Sequence, residues 1–217
     1  TIALAPASVV SLGGLVCSAA CTITGADAAI ALGSLAFNVG GTLATPAGSA
    51  CEIAGATTFT AAGRIAPGSG AVIDCLGILA GAAGGNLTMS GPGTLMLHVD
   101  SPAYAGAISV TGGNLVVRAS GALGTTAAGT SVAVGAELHL DGGVGALAIA
   151  TEALAIAGSG GDGLGALRNV AGSNTWAGSC ALANGASIGV DAGSLAIGGA
   201  ISGYDLVKRG SGVLQIA

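Results

Sequence analysis

Charged and aromatic side chains are scarce in this chain. Charged residues make up 7% and aromatic residues 2% of its 217 residues, whereas a typical soluble domain is about 25% charged. The net charge is −5, and the few basic residues do not form the basic patch that marks a nucleic-acid-binding protein. We therefore expect no nucleic-acid partner.

A long, uninterrupted apolar segment is also absent. Residues 1–26 carry no charge, but Pro6, Gly13 and Gly14 interrupt them. A membrane-spanning helix needs about 20 consecutive and mostly apolar residues, and these interruptions favour short strands instead. We expect no membrane span in this chain.

The chain lacks a recognisable catalytic, cofactor-binding or metal-binding motif. His98 and His139 alternate with leucines in "TLMLHV" and "ELHLDG", which predicts that both point outward from strands, and neither belongs to a Ser/His/Asp arrangement. Asp141, Asp162 and Asp191 lie near glycine in turn-like settings, where local backbone hydrogen bonding accounts for aspartate. We expect no catalytic residue, no cofactor and no metal ion.

Glycine, by contrast, is abundant, with 42 copies, and it punctuates a recurring unit of the form Gly-x-Leu-x-apolar. Apolar residues at every second position predict a strand with one buried face, and the glycine allows a turn conformation closed to other residues. The unit occurs as GSLAF (33–37), GNLTM (85–89), GTLML (93–97), GNLVV (113–117), GALAI (145–149), GSLAI (193–197) and GVLQI (212–216).

The spacing of these units predicts how the strands are arranged. Leu95, Leu115 and Leu138 follow one another at similar intervals, and the interval returns between Leu195 and Leu214. These intervals resemble the periods of about 20 to 25 residues that are typical of a solenoid, in which each coil stacks on the last. We predict an all-β chain folded as a parallel β-helix of roughly nine or ten coils, about 45 Å long at the usual strand spacing.

Residues 91–124 resemble the passenger-associated transport repeat of bacterial autotransporters. The opening of that repeat is matched by Gly91, Gly93, Thr94, Leu95 and Leu97, its turn by Tyr104 and Gly106, and its ending by "GALG" at 121–124. A second copy extends over residues 165–217, with Asn174-x-Trp176-x-Gly178 and Leu206-x-Lys208-x-Gly210-x-Gly212-x-Leu214. The resemblance implies a right-handed parallel β-helix that is secreted to the bacterial cell surface.

The resemblance also bears on domain organisation. We expect one β-solenoid over residues 1–217, in which residues 1–90 are weakly repetitive and residues 91–217 resemble the passenger repeat. The residues expected to have structural roles are Gly93, Leu95, Leu97, Tyr104, Gly106, Trp176, Gly178, Gly212 and Leu214.

The five cysteines are Cys17, Cys21, Cys51, Cys75 and Cys180, an odd number, so at least one cannot pair within the chain. The interval from Cys51 to Cys75 is close to one coil. We predict that they lie on adjacent coils, as a disulfide or as stacked buried thiols. The alternative is that the cysteines are inert core residues. Cys17 and Cys21 lack the usual spacing of zinc ligands.

The sequence favours a non-enzymatic extracellular module: a β-helical stalk or passenger segment of a bacterial surface or adhesive protein. The alternative is a subunit of a self-assembling extracellular fibre that stacks end to end, since a surface with 7% charge leaves much apolar area exposed. A polysaccharide-active β-helix enzyme is a third hypothesis. The expected partners are further copies of the chain or adjoining solenoid coils, and the sequence does not identify a host or surface ligand.

Overall fold

The computed structural model describes residues 1–217, which form strands and turns without a helix. The structure thus has no helix long and apolar enough to cross a membrane. In chain order the strands are β1 (Ile2–Ala3), β2 (Val9–Leu12), β3 (Leu15–Cys17), β4 (Ala20–Thr24), β5 (Ala29–Leu32), β6 (Leu35–Phe37), β7 (Thr42–Thr45), β8 (Ala50–Ile53), β9 (Thr57–Phe59), β10 (Gly63–Pro67), β11 (Val72–Cys75), β12 (Leu79–Gly81), β13 (Leu87–Met89), β14 (Thr94–Leu97), β15 (Ile108–Val110), β16 (Gly113–Val117), β17 (Thr130–Val132), β18 (Ala136–Asp141), β19 (Ala148–Ile149), β20 (Leu154–Gly158), β21 (Leu167–Ala171), β22 (Ser173–Trp176), β23 (Cys180–Val190), β24 (Ser194–Ile197), β25 (Ile201–Gly203), β26 (Leu206–Arg209) and β27 (Val213–Ile216).

These strands form three faces that the chain visits in a fixed order, so that it winds through ten coils. All pairing between coils is parallel, and the fold is the predicted β-solenoid. The first face contains β1, β4, β7, β10, β13, β15, β17, β20, the first part of β23, and β25. The second face contains β2, β5, β8, β11, β14, β16, β18, β21, the last part of β23, and β26.

The third face is interrupted in the middle of the molecule. Strands β3, β6, β9 and β12 form one four-stranded sheet, and β19, β22, β24 and β27 form another. Between them, turns replace strands, and the strand pairing is reduced to a single bridge between Gly81 and Tyr104. We use this interruption to divide the solenoid into an N-terminal region, residues 1–106, and a C-terminal region, residues 107–217.

Parallel pairing places equivalent residues of successive coils in columns. Along the second face, the longest step between successive members of one inward-facing column is from Leu138 to Leu167. This step exceeds the predicted period because its coil includes the additional loop at residues 158–165. The column contains Val10, Ile30, Cys51, Ile73, Leu95, Leu115, Leu138, Leu167 and Ile188, and it ends at Lys208 in the last coil.

A single core runs through the stacked coils. One hydrophobic cluster of 44 buried residues extends from Cys17 to Ile197, so the two regions share a continuous interior. Residues 1–90, whose sequence repeats only weakly, pair coil on coil as regularly as the rest of the chain. The register depends on apolar residues at alternate positions, and this segment supplies them although its sequence repeats only weakly.

Aromatic rings fill the third-face side of the core in the N-terminal region. The rings of Phe37 and Phe59 stack with their centroids 5.0 Å apart, and the Tyr104 ring lies 5.6 Å from that of Phe59. Phe59 and Tyr104 belong to coils separated by one intervening coil, in which Gly81 occupies the same column. Because Gly81 has no side chain, the Tyr104 ring fills the space above Phe59.

Candidate functional site

The outer surface of the second face carries one cluster of charged residues in coils 7 to 9, which we call the ionic cluster: Glu137, His139, Asp162, Arg168 and Asp191. Alternation along β18 brings Glu137 and His139 to the same outer side, and the strand register places Arg168 directly beside His139. Asp162 comes from the loop at residues 158–165, and Asp191 follows β23.

Glu137 anchors that loop to the face of the solenoid. Its Oε1 accepts hydrogen bonds from the backbone N–H groups of Gly161, at 2.8 Å, and Asp162, at 3.0 Å. Its Oε2 accepts a hydrogen bond from Nε2 of His139 at 2.5 Å. The Glu137 side chain is only 4% exposed, so these protein donors replace the water that would otherwise solvate the carboxylate.

Arg168 joins three successive coils. Its Nε donates to Oδ2 of Asp191 at 2.7 Å, and its Nη1 donates to Oδ2 of Asp162 at 2.7 Å. The same Nη1 lies 3.9 Å from Oε2 of Glu137 in the preceding coil. The pKa of Asp162 lies below its usual value: partial burial acts to raise it, but the hydrogen bond from Leu164 N–H and the charge of Arg168 outweigh that effect. Asp162 therefore favours the ionised form that the guanidinium binds.

The ionic cluster uses its carboxylates to hold the protein together. Glu137 and Asp162 also border an open groove of about 330 Å³, whose lining includes Asn114 and no hydrophobic residue. General acid–base chemistry requires a carboxyl group that can exchange a proton with a substrate. In this cluster each carboxylate already accepts hydrogen bonds from backbone amides, from His139 or from Arg168.

Two further side-chain pairs connect adjacent coils on the outside. His98 lies 2.9 Å from the carboxylate of Asp74, in the preceding coil, and Arg118 lies 2.9 Å from that of Asp141, in the following coil. His98 and His139 both lie on the outer side of the second face, as their alternation with leucines predicts. Each histidine contacts a carboxylate, a pairing that sequence spacing did not reveal.

A buried carboxyl group lies at a corner of the C-terminal region. Glu152 is 3% exposed, and its Oε1 accepts a hydrogen bond from the Thr130 hydroxyl at 2.5 Å. Burial raises the pKa of Glu152, and the hydrogen bond from Thr130 opposes this only in part. The backbone carbonyl of Glu152 accepts the indole N–H of Trp176 at 2.9 Å, so the same residue also fixes the largest core side chain.

Two buried asparagines form a hydrogen-bonded pair in the C-terminal region. Nδ2 of Asn174 donates to Oδ1 of Asn169 at 2.7 Å, while Oδ1 of Asn174 accepts the backbone N–H of Leu147 at 2.7 Å. Asn169 in turn donates to the carbonyl groups of Gly172 and Ala192. Because every amide group finds a partner, this pair crosses coils 7 to 9 without an unsatisfied polar atom.

The nine residues expected to have structural roles are buried in the core, pack against it, or lie where one coil closely approaches the next. Leu95, Leu97, Tyr104 and Trp176 are buried, and Leu214 packs against the core. The four glycines, Gly93, Gly106, Gly178 and Gly212, lie so close to the preceding coil that a Cβ would collide with it. At Gly178 the colliding group would be the Glu152 carbonyl, the same atom that Trp176 binds.

The predicted disulfide between Cys51 and Cys75 is not formed, although the two residues lie on adjacent coils and both are buried. Cys51 pairs with Ile73 and Cys75 pairs with Ile53, so the two cysteines are offset by two residues along adjacent strands. The physical reason is that one complete coil carries the chain from Cys51 only as far as Ile73, and Cys75 lies beyond that point on the same strand. All five cysteines are free thiols, and burial raises the pKa of Cys51 to about 12 and that of Cys75 to about 12.

Comparison of the chain with protein-family models, with curated proteins and with solved structures finds no match. The likeness of residues 91–217 to an autotransporter repeat therefore depends on the quoted motifs alone. The fold class is established by the parallel strand register.

Proposed function

We propose that this chain is a non-enzymatic structural module: a β-solenoid stalk or passenger segment of a bacterial surface or adhesive protein. The observation that carries the proposal is the continuous core of 44 buried residues through ten coils. Such an interior maintains length and stiffness over the whole rod, which a spacer requires. The extracellular location rests on the motif likeness of residues 91–217.

The polar groups support the same role. Arg168, Glu137 and Asn169 bind groups from neighbouring coils and are only slightly exposed. A polysaccharide-active enzyme would instead need an acid and a base directed at a substrate. The ionic cluster favours a structural role, because its carboxylates already accept hydrogen bonds from other groups of the protein.

The stalk proposal is tested on intact cells of the source organism. Antibodies raised against the purified chain are applied to unpermeabilised cells, with electron-microscopic detection of the bound label. Label at the cell surface is expected, and antibodies against a cytoplasmic protein provide the control. Label that appears only after permeabilisation would contradict the proposal.

A self-assembling fibre is the second candidate, and the coil formed by β25–β27 provides the observation that favours it. Tyr204, Val207, Val213 and Ile216 are all at least 43% exposed there. In the fibre proposal, another copy of the chain covers this surface. Exposed strand edges of parallel coils allow this arrangement.

Imaging of the purified chain separates these two candidates. Single rods about 45 Å long, the length of ten coils at the usual strand spacing, are expected for a stalk module. Filaments that lengthen with protein concentration would support the fibre. Compact particles without an elongated axis would contradict both. Light scattering on the same samples gives the mass per particle as an independent check.

A further inference from the structure

Two cysteines face each other across the corner where coil 1 passes into coil 2. Cys17 ends β3 on the third face, and Cys21 lies in β4 on the first face. The next coil places Phe37 over Cys17 and Leu43 over Cys21, and both of these residues are buried. Both cysteines therefore occupy inward-facing columns on either side of one corner.

This corner is shorter than the corners stacked above it. Cys21 follows Cys17 by four positions, whereas Leu43 follows Phe37 by six and Ile65 follows Phe59 by six. Fewer residues therefore separate the two inward-facing positions at this corner than at the corners above it.

The two sulfur atoms lie beside the same peptide segment. The Cys21 thiol donates a weak hydrogen bond to the carbonyl of Val16, the residue before Cys17, at 3.7 Å. Burial raises the pKa of Cys17, and the neighbouring thiol of Cys21 raises it further. Cys17 is fully buried, whereas Cys21 is partly exposed, so the pair has one accessible and one enclosed member.

We propose that Cys17 and Cys21 form an oxidisable pair, which closes to a disulfide across this corner when the chain meets a small-molecule disulfide. The remaining cysteines do not have such a neighbour. Cys51 and Cys75 are offset by two residues on adjacent strands, which places them outside the usual range of Cα separations for a disulfide. Cys180 is buried on the first face, next to Leu154 and Ile201.

The oxidation proceeds by two exchange steps, with oxidised glutathione as the oxidant. Cys21, the accessible thiol, loses its proton to solvent and attacks one sulfur of the oxidant. The S–S bond of the oxidant breaks, one glutathione leaves as a thiol, and the other stays attached to Cys21. Cys17 then gives up its proton and attacks Sγ of Cys21, releasing the second glutathione. Two protein thiols become one disulfide, and one glutathione disulfide becomes two thiols.

The test counts thiols in the intact chain. Fully reduced protein is equilibrated with oxidised glutathione, then unfolded, alkylated and weighed by mass spectrometry. We expect two of the five thiols to be lost together, with no glutathione retained and fragmentation that places the link between Cys17 and Cys21. Five alkylated thiols, or a link at any other pair, would overturn the proposal.

Single variants separate the proposed pair from general thiol oxidation. Cys17→Ser is expected to retain one glutathione on Cys21, because the enclosed thiol that resolves the mixed disulfide is missing. Cys180→Ser serves as the matched control and should form the link as the original chain does. Circular dichroism checks that each variant keeps its β structure. If Cys17→Ser stays free of glutathione while folded, the assigned order of attack is wrong.

Discussion

The N-terminal and C-terminal regions share one winding pattern but differ in what they enclose. In the N-terminal region, the steps between successive members of the second-face column are nearly equal, and stacked rings fill the adjoining third face. In the C-terminal region the steps are uneven, and the longest runs from Leu138 to Leu167. Buried asparagines, Glu152 and the ionic cluster all lie in that second region.

The difference indicates how a β-solenoid tolerates an irregular coil. Where coils are nearly equal in length, regular backbone ladders and stacked apolar columns keep them in register. An additional loop, such as residues 158–165, brings backbone N–H and C=O groups that need hydrogen-bond partners outside the regular ladder. Glu137 accepts two of its N–H groups, and Arg168 binds the side chain of Asp162. The two buried carboxyl groups, Glu137 and Glu152, therefore both lie in the region where the coil length changes.

The largest effect is expected from removing a ring in the N-terminal region. Phe59→Ala should lower the free energy of unfolding by about 3–5 kcal/mol, the range for buried aromatic truncations. The reason is that Phe59 is 1% exposed and touches the rings of both Phe37 and Tyr104. Denaturant titration followed by circular dichroism measures the change.

The matched control for that substitution is Val39→Ala, because Val39 is 82% exposed. Its effect should stay within about 0.5 kcal/mol, as is usual for exposed positions. Equal losses from both substitutions would mean that the ring stack does not stabilise the N-terminal region.

Breaking the ionic cluster should cost less. Arg168→Met is expected to destabilise the chain by about 2 kcal/mol, below the roughly 3–5 kcal/mol of a fully buried pair, because the Arg168 side chain remains 18% exposed. Asp162 and Asp191 would lose their cation, and the loop at residues 158–165 should become more accessible to hydrogen exchange. The control is Arg118→Met, whose side chain is 40% exposed and should cost less than about 1 kcal/mol.

The raised pKa of Glu152 in the C-terminal region predicts that the folding stability of the chain depends on pH. This pKa is raised in the folded state, so the protonated form of Glu152 favours folding below the unfolded pKa. That contribution is lost as pH rises through the folded pKa. Glu152→Gln, which keeps an acceptor for Thr130, should therefore leave melting unchanged near pH 4 and raise the melting temperature at pH 8. Equal shifts at both pH values would contradict the role of ionisation.

The sequence was sufficient to predict the fold class because alternation and glycine spacing report directly on buried strands. Leu95 and Leu97 show this well, since both alternate with less buried neighbours in β14. The same spacing did not predict the longer coil from Leu138 to Leu167. It placed Cys51 and Cys75 on adjacent coils but did not reveal their offset of two residues, which is one full repeat of the side-chain alternation along a strand.

The ionic cluster could not be predicted for a related reason. Glu137 and Arg168 lie far apart in the sequence, and their contact depends on the length of the coil that contains the additional loop. Asp141 and Asp162 were correctly interpreted as turn residues, since each accepts a backbone N–H two residues ahead. Their second role, binding an arginine from another strand, requires the register between coils.

The smallest effects are expected at the outer side-chain pairs, one in each region. Asp74→Asn removes the partner of His98, and Asp141→Asn removes the partner of Arg118. Because these side chains are between 22% and 40% exposed, each substitution should cost less than about 1 kcal/mol. At 1 M salt, where charges are screened beyond about 3 Å, the loss from Asp141→Asn should shrink in urea titrations. If that loss persists at high salt, the pair of Asp141 and Arg118 has a packing role, and the contrast between the regions extends from the core to the surface.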